Sequence, residues 1–408
     1  MLNHSNAVCT YDVAVIGAGP AGAIAARDLA RSGARVAIVD GSHPREKSCG
    51  GGVTARAMKL PEDDALSEGC AISAAIFEAD GTRAQVTIAS DDALTVFPRA
   101  VFDAALLGQA VTAGADHIAM RARAIDRSDG CWIVGCPSGP VKARWLLGAD
   151  GPSGIVRKHV FRPFDRHQLS IAAGSFVDGV ASSELVVRFV DDPPGYLWSF
   201  PRPDHLAVGA CAQATETSTA LLHEVTDRWL TSYAPAAGRP RRRYAWPIPS
   251  LSPRDLERER PSGPNWMLLG DAAGLVDPIT REGIFFAMRS GQLAAAALGT
   301  HEPGRAYQTS IRDEIHSELR RAAALKASFF RPRFTRLLIE ALNHSAAIRA
   351  VMIDLIAGRQ DYASLKRRLL GTLEFGLMMK LVGSKRTHRP RVAVGSRAAG
   401  ASAVGSRQ

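Results

Sequence analysis

The first forty residues contain two short apolar runs separated by a glycine-rich turn. Tyr11–Ile16 is rich in β-branched residues, which predicts a buried parallel strand. Glycines follow at positions 17, 19 and 22, and a stretch of helical periodicity then runs to Ser32. Arg35–Val39 is the second apolar run and is closed by Asp40. These segments predict a strand–turn–helix–strand unit of about 30 residues, the usual size of a βαβ unit.

The rest of the chain shows further strand and helix periods. Strands are predicted within 72–97, around Trp132, at Arg144–Ala149, within 167–212 and at Trp266–Leu269, and helices at Arg99–Ala113, Glu282–Leu298, Tyr307–Lys326, Thr335–Ala357 and Ser364–Val382. This order predicts an α/β (α+β mixed) fold with a Rossmann-like domain, an antiparallel-sheet domain and a C-terminal helical region. We assign 1–60, 95–160 and 264–300 to the first domain, 61–94 and 161–263 to the second, 305–383 to the helical region and 384–408 to a disordered basic tail.

The formal net charge of +10 is distributed unevenly over the 408 residues. Residues 1–304 sum to −3, residues 305–383 to +7 and residues 384–408 to +6. A nucleic-acid-binding protein would need a basic main fold, so this distribution argues against nucleic acid as a partner. The composition, 46% hydrophobic and 22% charged, is typical of a globular chain.

The cysteines and the N-terminal segment bear on the cellular compartment. The cysteines are Cys9, Cys49, Cys70, Cys131, Cys136 and Cys211. They include no CxxC pair and no regular spacing, so we predict no disulfide framework. Residues 1–10 are polar, and no run reaches the roughly 18 apolar residues of a membrane span. We therefore expect a cytoplasmic protein.

The Gly17–Gly22 turn, GAGPAG, carries the first chemistry. It follows a predicted strand and opens a predicted helix, where glycines allow a pyrophosphate to approach the backbone and the helix N-terminus. Asp40, at the end of the next strand, stands where a carboxylate can bind a ribose hydroxyl. An ordinary glycine-rich turn is the alternative interpretation. The motif itself does not distinguish NAD from FAD.

Two later motifs distinguish these cofactors. Asp150-Gly151-Pro152-Ser153, with Val156-Arg157, follows a strand, and Gly270-Asp271-Ala272-Ala273-Gly274 ends the last strand. With GAGPAG, they make residues 11–300 resemble the FAD-dependent family of aromatic hydroxylases of the p-hydroxybenzoate type, flavin halogenases and geranylgeranyl reductases. The resemblance implies FAD, with Asp271 at the ribityl chain and Arg99 near the cofactor. There is no second GxGxxG, so NADPH or NADH as electron donor would bind only transiently.

Three segments resemble the geranylgeranyl reductase branch of this family. They are Pro44–Gly52 (PREKSCGGG), Tyr196–Pro201 (YLWSFP) and Asp277–Ile284 (DPITREGI). Arg281 departs from the family pattern, which has glycine there. Strand alternation places Tyr196, Trp198 and Phe200 on one face. An aromatic face suits an isoprenoid chain, and filling of the core beneath the sheet is the alternative.

The resulting site predictions are as follows. The predicted cofactor-binding residues are Gly17, Gly19, Pro20, Ala21, Gly22, Asp40, Cys49, Gly50, Gly51, Gly52, Arg99, Asp150, Gly270, Asp271, Gly283 and Ile284. The predicted catalytic residues are Cys49, Tyr196 and Trp198, and the predicted substrate-binding residues are Tyr196, Trp198, Phe200 and Arg281. His205 is a weaker candidate for the proton donor. No HExxH or paired Cys/His cluster predicts a metal site, and no GxSxG predicts acyl transfer.

These residues favour reduction of a C=C bond in a hydrophobic small molecule such as a prenyl lipid. Hydride would come from reduced FAD and a proton from an acidic group, with Cys49 as a candidate. Alternatives are an FAD-dependent monooxygenase or halogenase acting on an aromatic small molecule or a protein side chain, and a non-catalytic flavoprotein.

The basic C-terminal helices allow two interpretations. Leu365, Leu369, Leu373 and Leu377 lie four apart, Met378 and Leu381 continue that face, and basic residues lie nearby. The helices either cap the other domains or present a basic amphipathic surface. Such a surface would fit an anionic membrane, at its inner face, or a diphosphate substrate. The sequence does not predict the oligomeric state.

Overall fold

Two large β-sheets organise the chain in the computed structural model, which describes residues 9–61, 66, 68–89, 94–236 and 238–372. The strands are β1 (Tyr11–Ile16), β2 (Val36–Val39), β3 (Gly52–Val53), β4 (Cys70–Ala71), β5 (Ala74–Ala79), β6 (Thr82–Thr87), β7 (Thr95–Val96), β8 (Asp116–Ile118), β9 (Ala124–Ser128), β10 (Cys131–Cys136), β11 (Gly139–Gly148), β12 (Leu169–Asp178), β13 (Glu184–Asp191), β14 (Pro194–Pro201), β15 (His205–Gln213), β16 (Arg241–Pro249), β17 (Ser262–Gly263) and β18 (Trp266–Leu268).

Single helices lie between the strands, and after β18 the described chain forms only helical elements. The helices are α1 (Pro20–Arg31), α2 (Arg99–Thr112), α3 (Ile155–Val160), α4 (Thr219–Ser232), α5 (Pro253–Arg258), α6 (Ile284–Leu298), α7 (Pro303–Ser310), α8 (Ser317–Phe329), α9 (Pro332–His344), α10 (Ala346–Ile356) and α11 (Tyr362–Gly371). Short 3₁₀ turns lie at Ala57–Lys59, Arg166–Gln168, Ala234–Ala236 and Gly270–Ala273, and a π-helical segment spans Ile311–His316. The structure therefore has the mixed α/β class that the sequence predicts.

The first sheet carries the predicted βαβ unit. Its main path runs β17-β18-β11-β1-β2-β8, and β18, β11, β1, β2 and β8 are mutually parallel. The last four residues of β1 and all of β2 are buried, as expected for strands covered on both faces. Helix α1 packs against α6 and α2.

The second sheet follows the order β16-β12-β15-β14-β13-β5-β6. Its strand pairs are antiparallel except for β13 with β5. A smaller sheet joins β3, β7 and β4. Helix α9 covers β5 and β6, and α4 covers β12 and β15. The division of the chain into domains stays a prediction, because Met1–Thr372 forms one compact unit.

The C-terminal helices differ from the sequence prediction in two places. The predicted helix at Thr335–Ala357 is interrupted at Ser345, whose hydroxyl accepts a hydrogen bond from the Ile348 amide and caps α10. The predicted helix at Tyr307–Lys326 consists of α7, the π-helical segment and α8. The predicted helix at Ser364–Val382 is described only as α11, and the predicted tail at 384–408 lies outside the described residues.

A disulfide joins Cys9 to Cys131, so the prediction that the cysteines form no disulfide framework missed a bridge. Strand pairing explains it, because Ala143 of β11 lies opposite Tyr11 of β1 and Trp132 of β10. Cys9 lies two residues before β1 and Cys131 is the first residue of β10, so the two come within reach of each other, although 122 positions separate them. In the described ranges, no helix has both the length and the apolar character to cross a membrane.

Candidate active site

The N-terminus of α1 forms the first wall of the candidate site. Gly17 has φ of 104°, a left-handed conformation that favours glycine, and a Cβ there would lie 2.3 Å from the Ala149 carbonyl oxygen. No side chain caps α1, and its first turn holds no acidic residue. The free amides of Ala21 and Gly22 therefore provide donors for an anion, and Gly19 and Pro20 lead the chain into that turn.

Asp40 follows β2, at the edge of this turn. Its Oδ2 accepts from the Ala18 amide at 2.9 Å and lies 2.7 Å from His43 Nδ1, and its Oδ1 accepts from the Ser42 amide at 2.7 Å. Burial raises the pKa of Asp40, but the hydrogen bonds from His43 and Ala18 outweigh it and hold the pKa well below its usual range. The carboxylate is therefore fixed and charged beside the turn. Its contact with a ribose stays a prediction.

A second set of predicted residues converges on α1 from the other end of the chain. An added Cβ at Gly270 would lie 3.2 Å from Ala21 Cβ, and one at Gly283 would lie 3.4 Å from Asp271 Oδ1. Asp271 is 3.5 Å from Lys47 Nζ. Gly283 precedes α6, which begins at Ile284 and has neither a side-chain cap nor an acidic residue in its first turn. Two helix N-termini of positive dipole thus border one region.

Asp150 lies two residues after β11 and organises the next turn. Its Oδ2 accepts from the Val156 amide at 3.0 Å, while its Oδ1 is buried without a hydrogen-bond partner. Burial raises the pKa of Asp150 to about 6. The partnerless oxygen is a buried acceptor that a cofactor hydroxyl could satisfy.

Cys49 belongs to a chain of paired side chains. We call Asp40, His43, Asp103, Arg99 and Cys49 the Cys49 network. Arg99 Nη1 lies 3.5 Å from Cys49 Sγ, and its Nε and Nη2 donate to Asp103 at 2.9 and 2.8 Å. His43 Nε2 is 3.3 Å from Asp103 Oδ2. These contacts link Asp40, through His43, Asp103 and Arg99, to the cysteine.

Neighbouring groups of opposite sign in the Cys49 network favour each other's charged form. Burial lowers the pKa of His43, but the hydrogen bonds to Asp103 and Asp40 raise it above its ordinary value. Burial raises the pKa of Asp103, but the Arg99 charge and the His43 hydrogen bond bring it below its ordinary value. The histidine therefore favours the charged form between two carboxylates.

Arg202 and Glu46 hold the loop that carries Cys49. Arg202 is fully buried, pairs with Glu46, and donates to the Cys49 carbonyl oxygen at 2.9 Å. Glu46 accepts from the Arg99 amide at 3.2 Å. His205 Nε2 lies 3.2 Å from Arg202 Nη1, so it supports the loop through the arginine.

The predicted aromatic face exists on β14. Tyr196 and Trp198 have ring centroids 6.0 Å apart, and Tyr196 stacks on Phe330 at 6.3 Å. An added Cβ at Gly50 would lie 2.0 Å from Phe200 Cδ2, and one at Gly52 would lie 3.5 Å from Phe200 Cε2. The structure thus brings Phe200 of the aromatic strand against the Gly50–Gly52 loop, at both Gly50 and Gly52.

The structure shows the hydrogen bonding of one polar group on this face and the protonation of another. The indole nitrogen of Trp198 is buried with no hydrogen-bond partner. Burial raises the pKa of Tyr196 well above its ordinary value, so the phenol keeps its proton throughout the neutral range.

Arg281 lies in the turn between Asp277 and α6. The Asp277 side chain accepts from the Ile279 and Thr280 amides at 2.7 and 3.0 Å, which tightens the turn. Arg281 Nη1 donates to Ser250 Oγ at 2.6 Å. Lys326, on α8, donates to the same hydroxyl at 2.7 Å.

The sequence patterns assign no role to His43, Glu46, Asp103 or Lys326. Arg99 and Asp103 stand four apart on a predicted helix, so opposite charge at that spacing could have revealed their pairing. No local pattern relates Lys326 to Arg281.

The residues present fit FAD. The uncapped N-terminus of α1 suits a pyrophosphate, and the uncapped N-terminus of α6 suits the negative charge of a reduced flavin ring. Asp150 adds a buried acceptor without a partner. The individual roles of the predicted site residues remain proposals.

Comparison with known proteins assigns the family. A family model described as FAD binding domain matches residues 10–326. The geranylgeranyl diphosphate reductase of Rhodobacter capsulatus is 30% identical over 307 residues, covering 70% of this chain and 74% of that protein. The menaquinone reductase of Mycolicibacterium smegmatis is 27% identical over 387 residues, covering 84% and 90%.

A solved structure agrees with the fold. The geranylgeranyl bacteriochlorophyll reductase-like protein from Thermoplasma acidophilum superposes with a TM-score of 0.73 at 21% identity, over 89% of this chain and 99% of that one. The chain therefore belongs to the FAD binding domain family, and within it to the geranylgeranyl reductase family of FAD-dependent oxidoreductases.

Proposed function

We propose that this protein reduces C=C bonds of an isoprenoid or prenyl lipid. The observation that carries the proposal is the contact between the aromatic strand and the glycine loop, where Phe200 covers Gly50. The glycines let the Phe200 ring pack directly against the backbone of the loop, and the aromatic rings of β14 offer an apolar surface to a hydrocarbon chain. The relatives named geranylgeranyl diphosphate reductase and menaquinone reductase act on isoprenoid-containing molecules, which agrees with this surface.

The reaction adds a hydride and a proton across the double bond. FAD, when bound and reduced, supplies the hydride. The residues of the chain orient the alkene, exclude water and deliver the proton. Cys49 is our proposed proton donor, because the Arg99 guanidinium 3.5 Å from its sulfur would stabilise the thiolate that remains. Tyr196 is the second candidate, since its phenol stays protonated.

Electron donors and oxygen distinguish this proposal from its alternative. FAD-loaded protein is reduced without oxygen and mixed with geranylgeranyl diphosphate or menaquinone. We expect the flavin absorbance to return as the isoprenoid gains about two daltons per reduced bond, by mass spectrometry. If no isoprenoid reoxidises the flavin, while oxygen does so with hydroxylation or halogenation of an aromatic compound, the protein is a monooxygenase or halogenase instead. NADPH and NADH, compared as reductants, identify the transient donor.

A basic surface supports a membrane contact from the cytoplasmic side, which we propose as the place where a lipid substrate is reached. On α11, Lys366 and Arg367 are exposed beside Leu369 and Leu370, which are 37% and 46% exposed. Leu373, Leu377, Met378 and Leu381, which would continue this face, lie outside the described residues. Flotation with anionic vesicles should show binding at low salt that is lost at high salt. Absence of binding at low salt would exclude this contact.

A further inference from the structure

Two cations from distant parts of the chain meet at one neutral side chain. Arg281 Nη1 and Lys326 Nζ donate to Ser250 Oγ at 2.6 and 2.7 Å. Lys326 also donates to Gln213 Oε1 at 2.5 Å. Ser250 follows β16 and Gln213 ends β15, so both acceptors lie at the same end of the second sheet.

Neither cation has a carboxylate partner among the described residues. Arg281 Nε is buried and makes no hydrogen bond. Burial, and then the Arg281 charge, lower the pKa of Lys326 to about 7. The other charged or titratable groups that act on Lys326 are Cys211 and Glu216. Two partly buried like charges without a counterion are unfavourable, and an anion between them would remove the repulsion.

The backbone of Arg281 gives an independent indication. Its φ of 61° lies in the left-handed region, which costs a non-glycine residue about 1 kcal/mol or more. The turn that imposes this conformation is held by Asp277 and by Glu282, which accepts from Thr54 Oγ1 at 2.8 Å. A long cation therefore occupies a strained position whose backbone conformation favours glycine.

We propose that Arg281, Lys326 and Ser250 form a subsite for a phosphate oxyanion at one end of the aromatic face. Cys211 connects the two features, because it lies opposite Tyr196 in the β14–β15 ladder and next to Arg281. In the proposed function, on which this identification of the ligand rests, the oxyanion is the charged end of the isoprenoid substrate. The hydrocarbon chain then extends from it along Tyr196 and Trp198.

Binding of small oxyanions tests the subsite without any reduction. FAD-loaded protein is titrated with inorganic pyrophosphate and with sulfate by calorimetry. We expect Arg281→Gly and Lys326→Met each to weaken binding at least tenfold. Glycine suits the backbone at 281, so the first variant should keep its fold and its flavin absorbance. The control Arg305→Met removes a cation that is 81% exposed and should change the affinity less than twofold.

The pH dependence of sulfate binding identifies the lysine. Sulfate does not titrate in the neutral range, so changes there report on the protein. Binding should be constant below pH 7 and weaken by up to about tenfold per pH unit above it, because the neutral lysine must first take up a proton. Lys326→Met should abolish this slope. Equal affinity of wild type and both variants, or no binding of either anion at millimolar concentration, would overturn the subsite.

The source of the oxyanion is distinguished with three isoprenoids. A prenyl diphosphate, the matching prenyl alcohol and vesicles of an isoprenoid phospholipid are compared as oxidants of the reduced flavin. We expect the KM for a phosphate-bearing substrate to rise at least tenfold in Arg281→Gly, and that for the alcohol to stay the same. If all three are reduced equally by wild type and variant, the reductase proposal stands and the subsite fails. If none is reduced but sulfate binding needs both cations, the subsite stands and the reductase proposal fails.

Discussion

The charges on the two sides of the candidate site are arranged in opposite ways. In the Cys49 network, each guanidinium, imidazole and carboxylate contacts a group of opposite sign, and Asp103 serves both Arg99 and His43. At the other side, Arg281 and Lys326 share only the hydroxyl of Ser250. The charges of the Cys49 network are paired without a ligand, whereas those of Arg281 and Lys326 are paired only when an anion binds.

The paired charges therefore position the Cys49 loop, and the unpaired charges recognise an anion. A fully paired network fixes the loop that carries Cys49 and resists change, since removing one partner leaves a buried charge uncompensated. An unpaired cluster costs stability in the free protein and regains it when an anion binds. Substitutions on the two sides should therefore have opposite effects on stability.

The largest effect is expected for Asp103→Asn, which removes the shared partner of Arg99 and His43. Asp103 is fully buried, so the free energy of unfolding should fall by about 3–5 kcal/mol. Denaturant unfolding of FAD-saturated protein measures it. Asp313→Asn is the control, because its pair with Arg312 is exposed and worth at most about 1 kcal/mol. A loss for Asp103→Asn as small as the control's would mean that the network does not hold the loop.

Cys49→Ala should reduce turnover about hundredfold while flavin absorbance stays unchanged, since a positioned acid contributes at least that factor. The rate of anaerobic flavin reoxidation by an isoprenoid is the measurement. Cys136→Ala, another free cysteine, serves as the control. Full turnover in Cys49→Ala would remove the cysteine from the mechanism and leave Tyr196 as the proton donor.

On the unpaired side, Lys326→Met should make the protein more stable at neutral pH. The lysine has a pKa of about 7 in the folded protein against 10.5 ordinarily, so the unfolded chain binds more protons between these values. Wild-type stability should therefore rise relative to the variant by up to about 1.4 kcal/mol per pH unit from pH 7 upwards. Below pH 7 the difference should be constant. Unfolding curves across this range measure it, with Lys366→Met, which removes an exposed lysine, as the control.

The smallest effect is expected for Arg281→Gly, which should stabilise the anion-free protein by about 1 kcal/mol. Saturating pyrophosphate should cancel or reverse the gain, because only wild type keeps the arginine. Asp129→Gly relieves a similar φ of 51° and should give a gain that pyrophosphate leaves unchanged. If pyrophosphate leaves both gains unchanged, Arg281 contributes only strain.

Local patterns allowed much of the fold to be predicted. The unit from Tyr11 to Asp40 was predicted because strand, glycine turn and helix are each encoded by neighbouring residues. The face shared by Tyr196 and Trp198 followed from strand alternation. The resemblance to FAD-dependent reductases was confirmed by the FAD binding domain match together with the geranylgeranyl diphosphate reductase relative.

What could not be predicted depends on long-range packing. The Cys9–Cys131 bridge follows from the way β10 and β1 share β11, which no cysteine spacing encodes. The meeting of Arg281 and Lys326 needs α8 to lie against the end of the second sheet. The apolar period continues through Ser345, so the sequence predicts one helix there. Ser345 caps α10 and divides that helix, but a single capping residue is a weaker sequence signal than the apolar period.

The order of strands along the chain has a consequence for synthesis on the ribosome. The β5–β6 hairpin joins the second sheet, although it is translated between β2 and β8 of the first. β18 joins the first sheet only after the whole second sheet has been made. Neither sheet can therefore be completed early in synthesis. The second sheet needs β16 and the first needs β18, and both strands emerge late from the ribosome. Fragments cut between the sheets should expose unpaired strand edges, so this enzyme has to be engineered as a whole.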